Sequence, residues 1–137
     1  MSGLTDTLNI SAAGMKAQGD RLRVVAENIA NADSTATTPG GDPYRRKTIQ
    51  FQNVLDRQTN LSSVRIARRG FDTTPFQKKF DPTHPAADAQ GYIQLPNVSP
   101  IIEMMDMREA RRGYEANLNV VEVSKSMLTQ TLALLKQ

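Results

Sequence analysis

The feature that most constrains this chain is an apolar repeat of seven residues at each end. Leu8, Met15, Leu22 and Ile29 are spaced by seven, and so are Met107, Tyr114, Val121, Leu128 and Leu135. A strict repeat of seven drifts against the 3.6-residue turn, so its seam stays continuous only where helices wind around one another. The first series, with Leu4 and Val25 at offsets of three or four, predicts a helix over roughly residues 4–31. Asn28 and Asn31, followed by Asp33, Ser34 and Thr35, supply the turn chemistry that ends it. The second series predicts a longer helix over roughly 100–136, with Ser99 as N-cap and Pro100 at the first helical position, where no amide hydrogen is needed. Leu118 and Leu132 widen its stripe on one side, and Val120, Met127 and Leu134 on the other. Against a simple zipper, the seam positions Ser11 and Gln18 are polar, and Gly113 costs about 1 kcal/mol relative to alanine in a helix interior.

Length sharpens the point. At 1.5 Å per residue the second helix is about 54 Å long and the first about 42 Å, whereas a compact domain of this size is only roughly 37 Å across. The longer helix overhangs any globule that 137 residues make. Its stripe then has to meet other helices, and the simplest arrangement pairs the two ends with each other and with those of neighbouring copies. The alternative is a hairpin within one chain, covered by the middle segment.

That middle segment, residues 36–96, differs in kind. It opens on a loop rich in Thr, Pro and Gly, and short β-type runs follow at 48–51, 64–68 and 91–95. Residues 44–79 hold nine Lys or Arg against two Asp, whereas 1–43 and 80–137 each sum to −2. Aromatics are 5% of the chain and tryptophan is absent, so only a slender core is available. Cysteine is absent too, which excludes disulfides and thiolate metal sites. No run of 18 apolar residues occurs, and Asp6, Lys16, Asp20 and Arg21 interrupt any signal-peptide core. On residues alone this reads as a cytosolic protein.

Two groups of residues suggest a sharper chemistry. Asp81, His84 and Asp88 have a spacing that offers two carboxylates and an imidazole to a metal, but prolines crowd the segment. An ordered turn in which these side chains satisfy backbone groups is the better reading. Arg45, Arg46, Lys47, Arg65, Arg68, Arg69, Lys78 and Lys79, interleaved with Tyr44, Phe51, Phe71 and Phe76, have the composition of a single-strand nucleic-acid face. A solvated β surface, or a basic subunit face meeting the acidic flanks of a neighbour, is the better reading. No phosphate-binding Gly-rich loop or nucleophile elbow is present, so no enzyme activity, cofactor, metal, small-molecule substrate or nucleic-acid partner is expected.

Ala13, Gly14, Met15, Lys16, Ala17 and Gln18, then Arg21 and Leu22, then residues 24–32 (Val-Val-Ala-Glu-Asn-Ile-Ala-Asn-Ala) resemble the N-terminal signature of flagellar axial proteins. Tyr114, Glu115, Ala116 and Asn117, with Ser124 to Leu128 after them, resemble the C-terminal one. Pro43 to Lys47, Asp81 to Pro85, Ala87, Asp88, Gly91, Tyr92, Pro96, Asn97, Val98, Glu103, Met104, Asp106 and Met107 narrow the likeness to the FlgC-type proximal-rod family. The resemblance spans nearly the whole chain and is loosest at 52–80; Pro100 and Gly113 depart from the family pattern.

The resemblance implies a structural subunit of the proximal rod of the flagellar basal body, transmitting torque from the membrane ring to the distal rod and hook. It implies self-association and contact with FlgB-, FlgF- and FlgG-type rod proteins and the ring–rod junction protein. It also implies export through the flagellar type III apparatus to the periplasmic rod without a cleaved signal peptide, which replaces the cytosolic reading. The expected architecture is an elongated α+β chain: an N-terminal helix in 1–35, a small β-rich insert in 36–96 and a C-terminal helix in 97–137, the helices pairing as a coiled coil. The expected assembly residues are Leu8, Met15, Leu22, Val25 and Ile29, with Met107, Tyr114, Asn117, Leu118, Val121, Leu128 and Leu132.

Overall fold

The computed structural model describes residues 2–136. The elements are helix α1 (Ser2–Ala30), strands β1 (Lys47–Asp56), β2 (Leu61–Phe71), β3 (Gln77–Phe80) and β4 (Tyr92–Leu95), and helix α2 (Pro100–Leu135). This is the expected α+β class, with two long terminal helices around a small β insert. Both helices end within two residues of where the repeats place them, because Ser99 and Pro100 open α2 and the Asn-rich stretch closes α1. The Ser99 carbonyl accepts the first helical bond from the Glu103 amide at 3.0 Å. The run at 48–51 understates β1 and that at 64–68 understates β2. Strand β3 was not foreseen at all, since Gln-Lys-Lys-Phe contains no β-branched residue. No helix among the described residues is long and apolar enough to cross a membrane.

The chain forms two compact units, each drawing on both helices and the insert. The first comprises the described residues of Met1–Leu22, Gln50–Arg68 and Arg108–Gln137; the second comprises Arg23–Ile49 and Arg69–Met107. In the first, α1 and α2 run antiparallel, with Gly14 against Asn117, Gln18 against Gly113 and Gly19 against Tyr114. An Arg21–Glu109 ion pair at 3.7 Å lies on the same line. The approach is close. A Cβ on Gly14 would sit 2.8 Å from Asn117 Nδ2, and one on Gly113 3.2 Å from Gln18. Gly113 is therefore a fitted position, its helix-propensity cost offset by the approach it permits. The buried residues here are Ser11, Ala17, Ala110 and Ser124, every one of them small.

In the second unit β3 and β4 pair antiparallel, Gln77 opposite Leu95 and Phe80 opposite Tyr92. The loop joining them holds Asp81, His84 and Asp88; His84 and Asp88 serve the backbone, and Asp81 bonds a neighbouring hydroxyl. Asp88 Oδ1 accepts from the amides of Gln90 and Tyr92, both at 2.9 Å. His84 Nδ1 accepts from the Ala86 amide at 3.0 Å, while Nε2 lies 3.3 Å from the Thr35 hydroxyl. Asp81 takes the Thr83 hydroxyl at 3.0 Å. This is the ordered turn anticipated for them. Val25, Ala86 and Ile93 are the buried apolar residues of this unit, yet the largest fully enclosed side chains are Glu103 and Asn28.

Candidate assembly surface

Helix α2 shows two faces of opposite kind. The enclosed face follows alternating steps of four and three: Glu103, Met107, Ala110, Tyr114, Asn117, Val121, Ser124, Leu128 and Thr131 are buried or half-buried. One half of this heptad is the predicted seam of Met107, Tyr114, Val121 and Leu128. The other half is Glu, Ala, Asn, Ser and Thr, of which only Asn117 was foreseen. Its amide donates to the Gly113 carbonyl at 2.9 Å and fills the space above Gly14. The outer face carries Ile101, Ile102, Met104, Met105, Val123, Met127 and Leu134 in solvent, and Leu135, next in the seam series, is exposed at the end of the helix. On α1, Leu8, Met15, Leu22 and Ile29 are half-buried and Val25 is buried. Leu118 and Leu132 are exposed and flank the seam, each four residues and about 40° beyond Tyr114 and Leu128.

The second unit holds a polar cluster that sequence reasoning missed. Asn28 is 1% exposed and all four of its amide bonds are made. Its Nδ2 donates to the Lys47 carbonyl at 2.9 Å and to Glu103 Oε2 at 3.4 Å. Its Oδ1 accepts from the Tyr44 hydroxyl at 2.7 Å and the Lys47 amide at 2.9 Å. Glu103, fully buried, is held by the Arg46 guanidinium, which also reaches Asp72 at 3.3 Å and Asp106 at 3.5 Å. Asn97 completes the frame, accepting from the Arg46 amide at 2.7 Å and donating to the carbonyls of Asp72 and Thr74, both at 3.0 Å.

Burial opposes the charge on Arg46, but its bonds to Glu103 and Asp72 raise its pKa nonetheless. The Thr74 hydroxyl and amide, with Arg46 after them, hold the Asp72 carboxyl below its usual value, and burial pushes the Tyr44 phenol up. Arg45 lies over the Phe76 ring at 4.2 Å, and Lys47 bonds Glu27 at 2.8 Å. The first three basic residues of the insert, expected on a face for a neighbouring subunit, are thus spent within the chain. The only sequence signal was that Asn28, residues 43–47, Asn97 and Glu103 all carry the family resemblance.

Comparison with known proteins assigns the class. Residues 8–36 match the family of flagella basal body rod proteins, and residues 89–134 match the C-terminal family of flagellar basal body rod FlgEFG proteins. The chain is 46% identical to the flagellar basal-body rod protein FlgC of Agrobacterium fabrum over 136 residues, 99% of this chain and 98% of that one. The FlgC of Borreliella burgdorferi is 40% identical, covering 98% of this chain and 99% of its own length. That of Bacillus subtilis is 38% identical, over 92% and 94% respectively. The chain belongs to the FlgC family of flagellar basal-body rod proteins.

Proposed function

We propose that the chain is a structural subunit of the proximal rod, carrying torque from the membrane ring toward the distal rod and hook, with no catalytic role. The observation that carries this reading is the outer face of α2, where Ile101, Ile102, Met104, Met105, Val123 and Met127 stand in water. Nothing else in the described chain covers them, and a row of this kind marks an association surface. Its partners on this reading are further copies and FlgB-, FlgF- and FlgG-type subunits, with the ring–rod junction protein at the base. The two terminal helices act as the assembly module and residues 36–96 as the insert it carries. The chain reaches the periplasmic rod through the flagellar type III apparatus as an unfolded polypeptide.

Deleting the gene and imaging purified basal bodies tests the reading. Rings without a rod, restored to full rods by the wild-type chain, are expected. Complete rods in the deletion strain would overturn it.

A further inference from the structure

A repeat of seven pairs α1 with α2 in the first unit but does not say how far along one helix the other sits. Leu8, Met15, Leu22 and Ile29 superpose on one another after a slip of one heptad, and so do Met107, Tyr114, Val121 and Leu128. A slip of about 10 Å therefore keeps large residues opposite large residues. A second pattern lies inside the same seam. Each helix carries a glycine followed four residues later by a carboxamide: Gly14 and Gln18 on α1, Gly113 and Asn117 on α2. Antiparallel packing sets each carboxamide over the other helix's glycine, Asn117 on Gly14 and Gln18 on Gly113, and neither fit leaves ordinary room for a Cβ. No alignment one heptad away repeats the fit. Slipped one way, Asn117 meets Arg21 and Gln18 meets Val120; slipped the other way, Asn117 meets Thr7. Gln18 also carries a cost. Its Oε1 is buried with no hydrogen-bond partner among the described residues, a penalty that an apolar side chain there would not incur. An unpaired polar group in a helical seam lowers stability, and that is the trade expected of a residue that fixes alignment.

We propose that the reciprocal pairs Gly14–Asn117 and Gln18–Gly113 are the register lock of the terminal helices: they, and not the apolar repeat, select one alignment of α1 on α2. The lock acts within one chain and stands apart from the rod-subunit reading. Its consequence is that Val123, Met127 and Leu134, exposed on α2, stand at one level along α1 in every copy. A slip of one heptad would carry that row about 10 Å along α1, and two copies in different registers would present different surfaces.

The absence of cysteine lets two nitroxide labels report the alignment directly. Asn9 and Arg108 are both exposed, and the Gly14–Asn117 pairing sets them about 21 Å apart along the helix axes. In full-length Asn9→Cys/Arg108→Cys chains, double electron–electron resonance should give a single distance, and several distances overturn the lock. The deciding variant moves both notches by one heptad without changing composition: Gly14→Arg, Arg21→Gly, Gly113→Val and Val120→Gly together. Asn117 then finds its glycine at position 21 and Gln18 at position 120, so the label distance should lengthen by about 10 Å. The wild-type distance at unchanged circular dichroism refutes the proposal. Where that variant loses its helicity, Gln18→Ala/Asn117→Ala decides, since alanine favours the helix and leaves both notches empty. A second distance about 10 Å from the first is then expected, and one wild-type distance shows that the apolar repeat alone sets the register.

Discussion

Replacing Arg46 by alanine probes the polar cluster at its most exacting point. Glu103 has no exposed side-chain surface, and the guanidinium that neutralises it is 23% exposed. Removing one member of a buried ion pair costs about 3–5 kcal/mol, mostly from the charge left behind. The Asn28 amide still donates to Glu103, at 3.4 Å, and the part-exposed arginine site admits water, so the lower end applies, about 3 kcal/mol. With a urea m-value of about 1.5 kcal/mol/M, the midpoint falls by on the order of 2 M. Glu103→Leu alone leaves the guanidinium its pairs with Asp72 and Asp106 and should cost less than Arg46→Ala. The double variant Arg46→Ala/Glu103→Leu removes both charges and should cost at least about 1 kcal/mol less than the sum of the singles. The assay is urea unfolding followed by circular dichroism and tyrosine absorbance, the latter because Tyr44 bonds into the cluster. Lys47→Met is the control, since its pair with Glu27 is exposed on both sides and exposed pairs contribute little. If Arg46→Ala shifts the midpoint no more than Lys47→Met, or if the two single losses simply add, the cluster does not hold the second unit together.

Gly3→Ala, with open space around its Cβ, should stabilise α1 by up to about 1 kcal/mol. Gly14→Ala gains the same propensity but must displace Asn117 from its bond to Gly113, so it should lower the thermal midpoint. The Asp72 carboxyl titrates below its ordinary value of 3.8 in the folded chain, so the stability it supplies is complete above that value and disappears as pH falls through the folded pKa. The stability gap between wild type and Asp72→Asn should accordingly be constant near neutrality and narrow below about pH 4 in parallel urea titrations. Val121→Asp puts a charge on the half-buried seam and should leave synthesis and export intact while abolishing motility. Glu122→Gln, on the exposed face, should swim normally.

The helices and their seam were legible in the sequence because a repeat of seven is a statement about geometry that needs no partner to be visible. Only half of the heptad could be read in that way. A search for large apolar residues finds Met107, Tyr114, Val121 and Leu128. It passes over Ala110 and Ser124, which the close approach of the two helices selects for their smallness. Strand β3 was hidden because its stability comes from pairing with β4, not from its own composition. The Arg46–Glu103 contact joins residues 57 apart, and nothing local to either distinguishes them from a solvated basic run and a surface carboxylate.

The small and polar character of the seam has a calorimetric consequence. Heat capacity rises on unfolding because apolar surface becomes hydrated, while exposed polar surface lowers it. Beside Val25, Ala86 and Ile93, the enclosed residues are Ser11, Ala17, Asn28, Glu103, Ala110 and Ser124, so little large apolar surface is buried and the chain should unfold with a smaller heat-capacity change than its length implies and a flatter stability curve. The isoleucines, methionines and leucines on the outer face of α2 transfer that increment to polymerisation. Subunit joining, more than folding, then weakens as the temperature is lowered, and cold should loosen the assembled filament before it loosens the subunit.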